Sequence, residues 1–239
     1  MRNRFDRQLS DLNKNLIEMG SCCENCISLV AMALAKIQKQ TNADGGNEAA
    51  TENTPGSVSE GALERVLSSV YETDSEIDKL ESEIENLCLR LLLEQQPVAR
   101  DLRYISAALK MISDMERIGD QCSDIADIAS FLQKADEGKM QSTTHIQEMA
   151  TATMSMVTEA VDSFIKRDMD LAHKVMDSDD TVDDLFSQVK NEIVAMISEY
   201  PEHGESLLDF LMIAKYFERI GDHATNIAEW VVFSITGQH

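Results

Sequence analysis

The segment Glu116-Arg-Ile-Gly-Asp120 recurs later in the chain, residue for residue, as Glu218-Arg-Ile-Gly-Asp222. The repetition continues downstream, because Ile125-Ala126 follows the first copy at the same separation at which Ile227-Ala228 follows the second. It also extends upstream, where the matching positions are Val70 with Val175, Asp74 with Asp179, Ile77 with Val182, Asp78 with Asp183 and Leu80 with Leu185. A repeat of this length predicts two copies of one structural unit.

Both copies have the apolar periodicity of amphipathic helices, with spacings of three and four residues. Only three prolines and few aromatic residues occur, which favours helices over a β-sheet. Because proline interrupts a helix, Pro97 predicts one of the breaks. The predicted helices span about 3–40, 58–95, 98–134, 139–167, 169–199 and 203–236. The sequence therefore predicts an all-α fold of two tandem, pseudo-symmetric three-helix bundles.

The repeat also predicts where the chain divides. We expect the first three-helix unit at residues 1–134 and the second at 135–239. Between the first two helices, residues 41–57 show no apolar periodicity and are rich in Gly, Asn and Thr, which predicts a flexible loop. A turn is expected at 135–138.

Carboxylates occupy the same helical phase in both copies. In the predicted third helix, an apolar stripe that advances by four and three residues continues into Glu116 and Asp120, and the sixth helix repeats this with Glu218 and Asp222. The second and fifth helices add the pairs Asp74 with Asp78 and Asp179 with Asp183. Each repeat thus offers four carboxylates in two i,i+4 pairs on adjacent helices.

Carboxylates on a packed helix face lose hydration and repel one another, so they need a raised pKa or a cationic partner. Oxygen ligands without nearby cysteine or patterned histidine favour Mg, Ca, Mn or Fe over structural zinc. The residues also permit a second interpretation, in which these acids are solvated or paired with Arg117, Arg219 and lysines. In the metal interpretation, Arg117 and Arg219 would support Asp120 and Asp222. Gly119 and Gly221 would let a helix or an ion approach closely.

Composition excludes several classes of function. The formal net charge of −22 argues against direct binding to nucleic acid or anionic bilayers and favours cations or basic protein partners. No stretch approaches the roughly 20 apolar residues of a membrane span, and the N-terminus lacks a signal-peptide pattern, so we expect a cytoplasmic protein. The five cysteines are an odd number that suits reduced thiols. The common nucleotide and hydrolase motifs are absent, so we predict no catalytic residues and no organic cofactor.

With these features, the sequence resembles the PhoU family of phosphate-transport regulators over nearly its whole length, apart from the 41–57 loop. The specific marks are Gln96-Pro97, Asp101-Leu-Arg103, both copies of the Glu-Arg-Ile-Gly-Asp segment, and Asn226-Ile-Ala-Glu229. The resemblance implies a six-helix fold whose E(D)xxxD motifs hold multinuclear metal clusters. The matching positions are Asp74 with Asp78, Glu116 with Asp120, Asp179 with Asp183, and Glu218 with Asp222. The second repeat has His203-Gly-Glu205 where the first has Asp101-Leu-Arg103.

The same resemblance implies a negative regulator that links a phosphate ABC transporter, through its ATPase, to a membrane sensor histidine kinase. Such a protein would be cytoplasmic and peripheral at the inner membrane through these partners, without inserting into the bilayer. The alternative is a metal-dependent phosphatase or redox enzyme that uses the same carboxylates. The identity of the metal, iron included, and the formation of a homodimer are left open by the sequence.

Overall fold

A computed structural model describes residues 2–43, 56–95, 97–134 and 144–238. These residues form six α-helices and no strand. The helices are α1 (Arg2–Ala43), α2 (Gly56–Gln95), α3 (Ala99–Lys134), α4 (Thr144–Lys166), α5 (Met169–Glu199) and α6 (Gly204–Thr236), with a short 3-10 turn at Pro201–His203 before α6. The predicted all-α, six-helix fold is confirmed.

The predicted helix boundaries hold to within a few residues, with one difference at the first loop. Helix α1 continues to Ala43 and α2 already begins at Gly56, so both enter the segment predicted as a loop. Residues 44–55 of that loop lie outside the described residues. So do the turn predicted at 135–138 and the first residues of the helix predicted at 139–167.

The contacts between helices have the symmetry of the repeat. Helices α1, α2 and α3 pack against one another, and α4, α5 and α6 do the same. The two bundles join where α3 packs on α6 and α1 packs on α4. The pattern of contacts is unchanged when α1, α2 and α3 are exchanged with α4, α5 and α6. Helices α2, α3, α6 and α5 therefore form one layer in that order, and α1 and α4 form a second layer behind it.

Helix α1 supplies much of the core of the first bundle. Leu12, Leu16, Met19 and Ile27 are completely buried along its length. Contrary to the expectation that no stretch approaches a membrane span, the part of α1 from Arg4 to Ile37 is long and apolar enough to cross a bilayer. Many of its apolar residues are buried against α2, α3 and α4, which accounts for much of that composition, whereas Ile17 and Met32 are exposed.

Candidate metal centres

The first group of carboxylates lies between α2 and α3. Asp74 on α2 faces Gly119 on α3, and a Cβ atom at position 119 would collide with the Asp74 Oδ1 atom. The Ser123 hydroxyl donates a hydrogen bond of 2.7 Å to Asp74 Oδ2. The other oxygen, Oδ1, is buried and has no hydrogen-bond partner. Glycine at 119 therefore makes room for a carboxylate that keeps one oxygen unsatisfied.

The second group repeats this plan between α5 and α6. The Thr225 hydroxyl donates a hydrogen bond of 3.3 Å to Asp179 Oδ1. A Cβ atom at Gly221 would lie 3.7 Å from that same oxygen and 3.4 Å from the Val182 side chain. Thr225 is the repeat equivalent of Ser123, as Gly221 is of Gly119. The two sites have the same design, but the second is packed more loosely.

The carboxylates of the first group repel one another electrostatically. Burial is the main cause that raises the pKa of Asp74. The hydrogen bond from Ser123 lowers this pKa, and the charges of Asp78 and Asp120 raise it further. Burial also raises the pKa of Glu116, and the charge of Asp120 raises it further. Glu116, Asp120, Asp74 and Asp78 thus form one electrostatic cluster.

The second group behaves in the same way. Burial raises the pKa of Asp179, and the charges of Asp183 and Glu218 raise it further. Partial burial likewise raises the pKa of Asp222, and the charges of Glu218 and Asp179 raise it further. The charge of Lys215 lowers this pKa. The side chain of Asp222 is nevertheless exposed at the surface, so this desolvation is incomplete. The fold therefore brings the four predicted carboxylates of each repeat within range of one another's charge.

These carboxylates lie at the rim of the core, which corrects the expectation of a packed face. Asp78, Asp183 and Asp222 are exposed, and the remaining predicted acids are half-buried. The reason is geometric: a step of four residues turns a helix about 40° beyond a full revolution. The steps from buried Ile112 to Glu116 and then to Asp120 therefore move each side chain further out of the core.

Cationic side chains already contact both groups. Arg117 pairs with Asp120 at 2.9 Å and with Glu116 at 3.5 Å. In the second group Lys215 pairs with Glu218. Arg117 thus has the expected position. The solvated or ion-paired interpretation of the sequence therefore describes part of what the structure contains.

Arg219, in contrast, does not pair with Asp222 among the described residues. Its charge acts on Asp124 of α3: burial raises the pKa of that carboxyl, whereas the hydrogen bond with Tyr216 and the charge of Arg219 lower it. Arg117 and Arg219 are equivalent in sequence but have different partners. The expectation that Arg219 supports Asp222 is wrong.

The donor set fits a hard cation, but the side-chain positions do not yet form a coordination sphere. Within the described ranges, no three Asp, Glu, His or Cys side chains are arranged to hold one metal ion. The available donors are carboxylate oxygens, which Mg, Ca and Mn prefer. One of them, Asp74 Oδ1, is unpartnered. An ion at these sites would have to displace Arg117 and Lys215 from the acids they hold.

Sequence reasoning missed the two hydroxyl donors and the polar contacts between the sites. Ser123 and Thr225 occupy matching positions of the repeat, and that match was the available signal. Between the two groups, α3 meets α6 through Asp114, which lies 2.9 Å from His223 Nδ1 and accepts a 3.1 Å hydrogen bond from Asn226. Such pairings depend on how two distant helices cross, which a local pattern does not reveal.

Comparison with known proteins gives consistent matches over nearly the whole chain. The PhoU domain family model matches residues 58–129 and 146–231. The chain is 32% identical over 235 residues to a protein of Clostridium acetobutylicum named phosphate-specific transport system accessory protein PhoU homolog, covering 98% of this chain and 95% of that one. The homolog of the same name from Pseudomonas aeruginosa is also 32% identical, covering 98% of this chain and 86% of that one.

Solved structures agree with the fold. The crystal structure of PhoU from Pseudomonas aeruginosa superposes with a TM-score of 0.80 at 29% identity, covering 98% of this chain and 100% of that one. The phosphate transport system regulatory protein PhoU from Streptococcus pneumoniae superposes with a TM-score of 0.77, covering 98% of each chain. Its identity of 22% supports similarity of fold alone.

Proposed function

Because this chain belongs to the PhoU family, we propose that it is a regulatory accessory protein of a phosphate-specific transport system. The proposal follows the names of relatives that match almost the entire chain. In its more specific form, the protein is a metal-binding adaptor and negative regulator. It would link the ATPase of a phosphate ABC transporter to a sensor histidine kinase.

The observation that carries the adaptor proposal is the duplication of one carboxylate group on two equivalent helix pairs. An enzyme that used these carboxylates would need one of them, or a water that one of them activates, aligned with a substrate as base or nucleophile. At these sites the nearest hydroxyls, those of Ser123 and Thr225, donate hydrogen bonds to carboxylates. The nearby histidine, His223, contacts Asp114 on the neighbouring helix. Two symmetric binding groups suit a protein that ties helices together in response to an ion.

The proposed metal ligands are the eight acids of the two groups, four in each repeat: Asp74, Asp78, Glu116, Asp120, Asp179, Asp183, Glu218 and Asp222. A bound divalent or trivalent cation would neutralise their mutual repulsion. Asp74 and Asp78 come from α2, and Glu116 and Asp120 come from α3, so binding would fasten these two helices together. The half-exposed position of the groups leaves them open to exchange with solvent.

Metal binding can be tested directly on the purified protein. We expect elemental analysis to find a transition metal or alkaline-earth ion that chelator removes, and Mn²⁺ titration to restore it. Asp78→Asn combined with Asp120→Asn should lower the number of ions bound. Arg117→Gln should raise Mn²⁺ affinity, because it removes a competing cation.

The matched control for Asp78→Asn and for Asp120→Asn, each taken singly, is Glu148→Gln, which neutralises one acid at an exposed position of α4, in the other layer. If Glu148→Gln lowered metal content as much as the changes at Asp78 and Asp120, the proposed ligands would be wrong. Phosphatase or peroxide turnover by the metal-loaded protein, abolished by Glu116→Ala, would replace the adaptor proposal with an enzyme.

Regulation is tested in cells. Deletion of the gene should raise expression from a phosphate-responsive promoter even when phosphate is plentiful, and the wild-type gene should restore repression. Unchanged promoter activity in the deletion strain would contradict the proposed negative regulation. A variant lacking both carboxylate groups, compared with Glu148→Gln, shows whether repression depends on the sites.

A further inference from the structure

The two carboxylate groups differ at one pair of neighbouring positions. The repeat places Phe186 of α5 at the position of Glu81 of α2, and Lys215 of α6 at the position of Ser113 of α3. In each half the two residues contact each other. The Ser113 hydroxyl donates a hydrogen bond of 3.4 Å to Glu81 Oε1, and Lys215 Nζ lies 5.5 Å from the centre of the Phe186 ring. The first half thus has an additional acid where the second has a cation beside an aromatic ring.

Glu81 belongs electrostatically to the first group. Burial raises the pKa of Glu81; the hydrogen bond from Ser113 lowers it, and the charges of neighbouring acids, Asp78 among them, raise it further. Burial is also the main cause that raises the pKa of Glu116, and the charge of Glu81 contributes to that rise. Glu81 therefore lies within range of acids on both α2 and α3, and it adds a fifth carboxylate to the four of the first group.

Lys215 brings a positive charge into the second group. Its side chain is 43% exposed and pairs with Glu218, which is only 14% exposed. Burial is the main cause that raises the pKa of Asp222, whereas the charge of Lys215 lowers it. In the first group, Arg117 is 59% exposed and its partner Glu116 is 23% exposed. Because water and salt screen a less exposed pair less, Lys215 neutralises its group more effectively than Arg117 does.

The groups also differ in the oxygens that are open to a new ligand. Asp74 and Asp179 each accept one hydrogen bond from a hydroxyl on the neighbouring helix. The remaining oxygen of Asp74 is buried and has no hydrogen-bond partner, whereas among the described residues that of Asp179 is not both buried and unpartnered. A buried carboxylate oxygen without a partner is destabilising. The first group therefore gains more than the second when a cation binds.

A lysine ammonium can occupy a carboxylate group in the way a metal ion does, because it is a compact point charge with three donors. Lys215 is carried by the same helix as Glu218, three residues earlier, so it is always close to the second group. A divalent ion that enters this group must displace the ammonium or tolerate its charge, and either lowers affinity. The Phe186 ring stabilises the ammonium where it lies.

We propose that the two carboxylate groups bind divalent metal unequally, with the first as the tight site and Lys215 as a built-in competitor that makes the second a weak site. This inference rests on the metal binding in the proposed function and identifies residues that set the affinity of each group. The first group fills at low metal concentration, and the second fills only at higher concentration. The chain thus responds to metal over a wider range of concentration than two equal sites would allow.

The experiment is a titration of the full, chelator-treated chain with Mn²⁺, followed by isothermal calorimetry and by the electron paramagnetic resonance signal of free Mn²⁺. The wild type should show one tight and one weak class of sites. The double variant Asp78→Asn, Asp120→Asn should lose the tight class. The double variant Asp183→Asn, Asp222→Asn should lose the weak class. These two variants assign each class to its group.

Three lysine variants test the competitor. Lys215→Met keeps a long side chain beside Phe186 but removes the charge, so the weak class should tighten about three- to tenfold while the tight class stays unchanged. Ser113→Lys, at an exposed position of α3, should weaken the tight class by a similar factor. The control is Lys166→Met, which breaks an exposed ion pair with Asp162 on α4 in the other layer. It should change neither class by more than about twofold.

The possible failures are distinguishable. Equal affinities in the two groups, a tighter second group, or an effect of Lys166→Met as large as that of Lys215→Met would overturn this inference and leave metal binding intact. Circular dichroism shows whether each variant is folded. If Lys215→Met does not fold, Ser113→Lys decides, because an unchanged tight class would rule out competition by the ammonium. If the wild type binds no Mn²⁺, the metal binding in the proposed function fails together with this inference.

Discussion

At the scale of single residues, the two glycines of the repeated segment occupy sites of different tightness. Alanine at 119 would force Asp74 to move from its hydrogen bond with Ser123, and it would also press on Ile77 at 3.1 Å. Alanine at 221 would meet its neighbours at ordinary contact distances. Because alanine favours a helix over glycine by about 1 kcal/mol, the two substitutions should have opposite effects.

We therefore expect Gly221→Ala to stabilise the protein by up to about 1 kcal/mol. Gly119→Ala should destabilise it by about 1–2 kcal/mol, because the steric cost exceeds the gain in helix propensity. Urea denaturation of both variants with chelator present measures the difference. Equal stabilisation by the two alanines would show that Asp74 does not depend on the space at 119.

The raised pKa values predict how the metal-free protein responds to pH. The folded-state pKa of Asp74 lies above its unfolded value, so protonation of this carboxyl favours the fold. That stabilisation is fully present below the unfolded pKa of about 3.9 and is lost as pH rises through the folded pKa. The pKa values of Glu116, Asp179 and Asp222 are also raised, so protonation of these carboxyls likewise favours the fold.

In chelator, Asp74→Asn should therefore be more stable than wild type at neutral pH, by a few tenths to about 1 kcal/mol because the site is half-exposed and partly screened. The difference should shrink as pH falls through the raised folded-state pKa of Asp74, because the wild-type carboxyl then becomes protonated. Urea denaturation across this pH range tests both points. A wild type that is more stable than Asp74→Asn at neutral pH without metal would contradict the repulsion argument.

At the scale of elements, the turn between α4 and α5 depends on an unusual pair of residues. Arg167 adopts a positive φ of 53°, and its guanidinium lies 4.6 Å from the centre of the Tyr104 ring. The next residue, Asp168, caps α5 by accepting a 3.0 Å hydrogen bond from the Leu171 amide. A cation–π contact thus helps to hold an arginine where glycine is commoner.

The cap gives a prediction for this element. Asp168→Ala should destabilise the protein by about 1 kcal/mol, because the Leu171 amide loses its acceptor at the start of α5. Asp168→Asn keeps an acceptor oxygen and should remain within about 0.5 kcal/mol of wild type. Thermal or urea denaturation measures both. If asparagine costs as much as alanine, the charge near the helix dipole is more important than the cap itself.

At the scale of the whole molecule, the charge of −22 predicts a response to ionic strength. Added NaCl should raise the melting temperature, because salt screens repulsion among the acidic side chains. At equal ionic strength, MnCl₂ should raise it further, because specific binding to the two carboxylate groups adds to screening.

Differential scanning fluorimetry of the wild type and of the double variant Asp78→Asn, Asp120→Asn separates charge screening from specific Mn²⁺ binding. The variant should keep the NaCl response and lose part of the additional MnCl₂ response. An equal MnCl₂ response in both proteins would indicate nonspecific screening and count against these two ligands.

The sequence alone determined the architecture and the candidate residues. Helical periodicity is a local property of the chain, and the repeated segments around Gly119 and Gly221 align the two halves without reference to coordinates. All eight carboxylates could be proposed in this way, and the structure brings them into two groups. Their role as metal ligands stays a prediction.

Only the tertiary structure decided the surroundings of those carboxylates. Arg117 and Arg219 are identical in sequence context, yet Arg117 pairs with Asp120 while Arg219 acts on Asp124 across the contact of α3 with α6. The sequence also placed Asp78 and Asp222 on a packed face, whereas both are exposed. These outcomes depend on where helices distant in the chain meet and cross, because that crossing determines which flank of each helix is covered and which charges become neighbours.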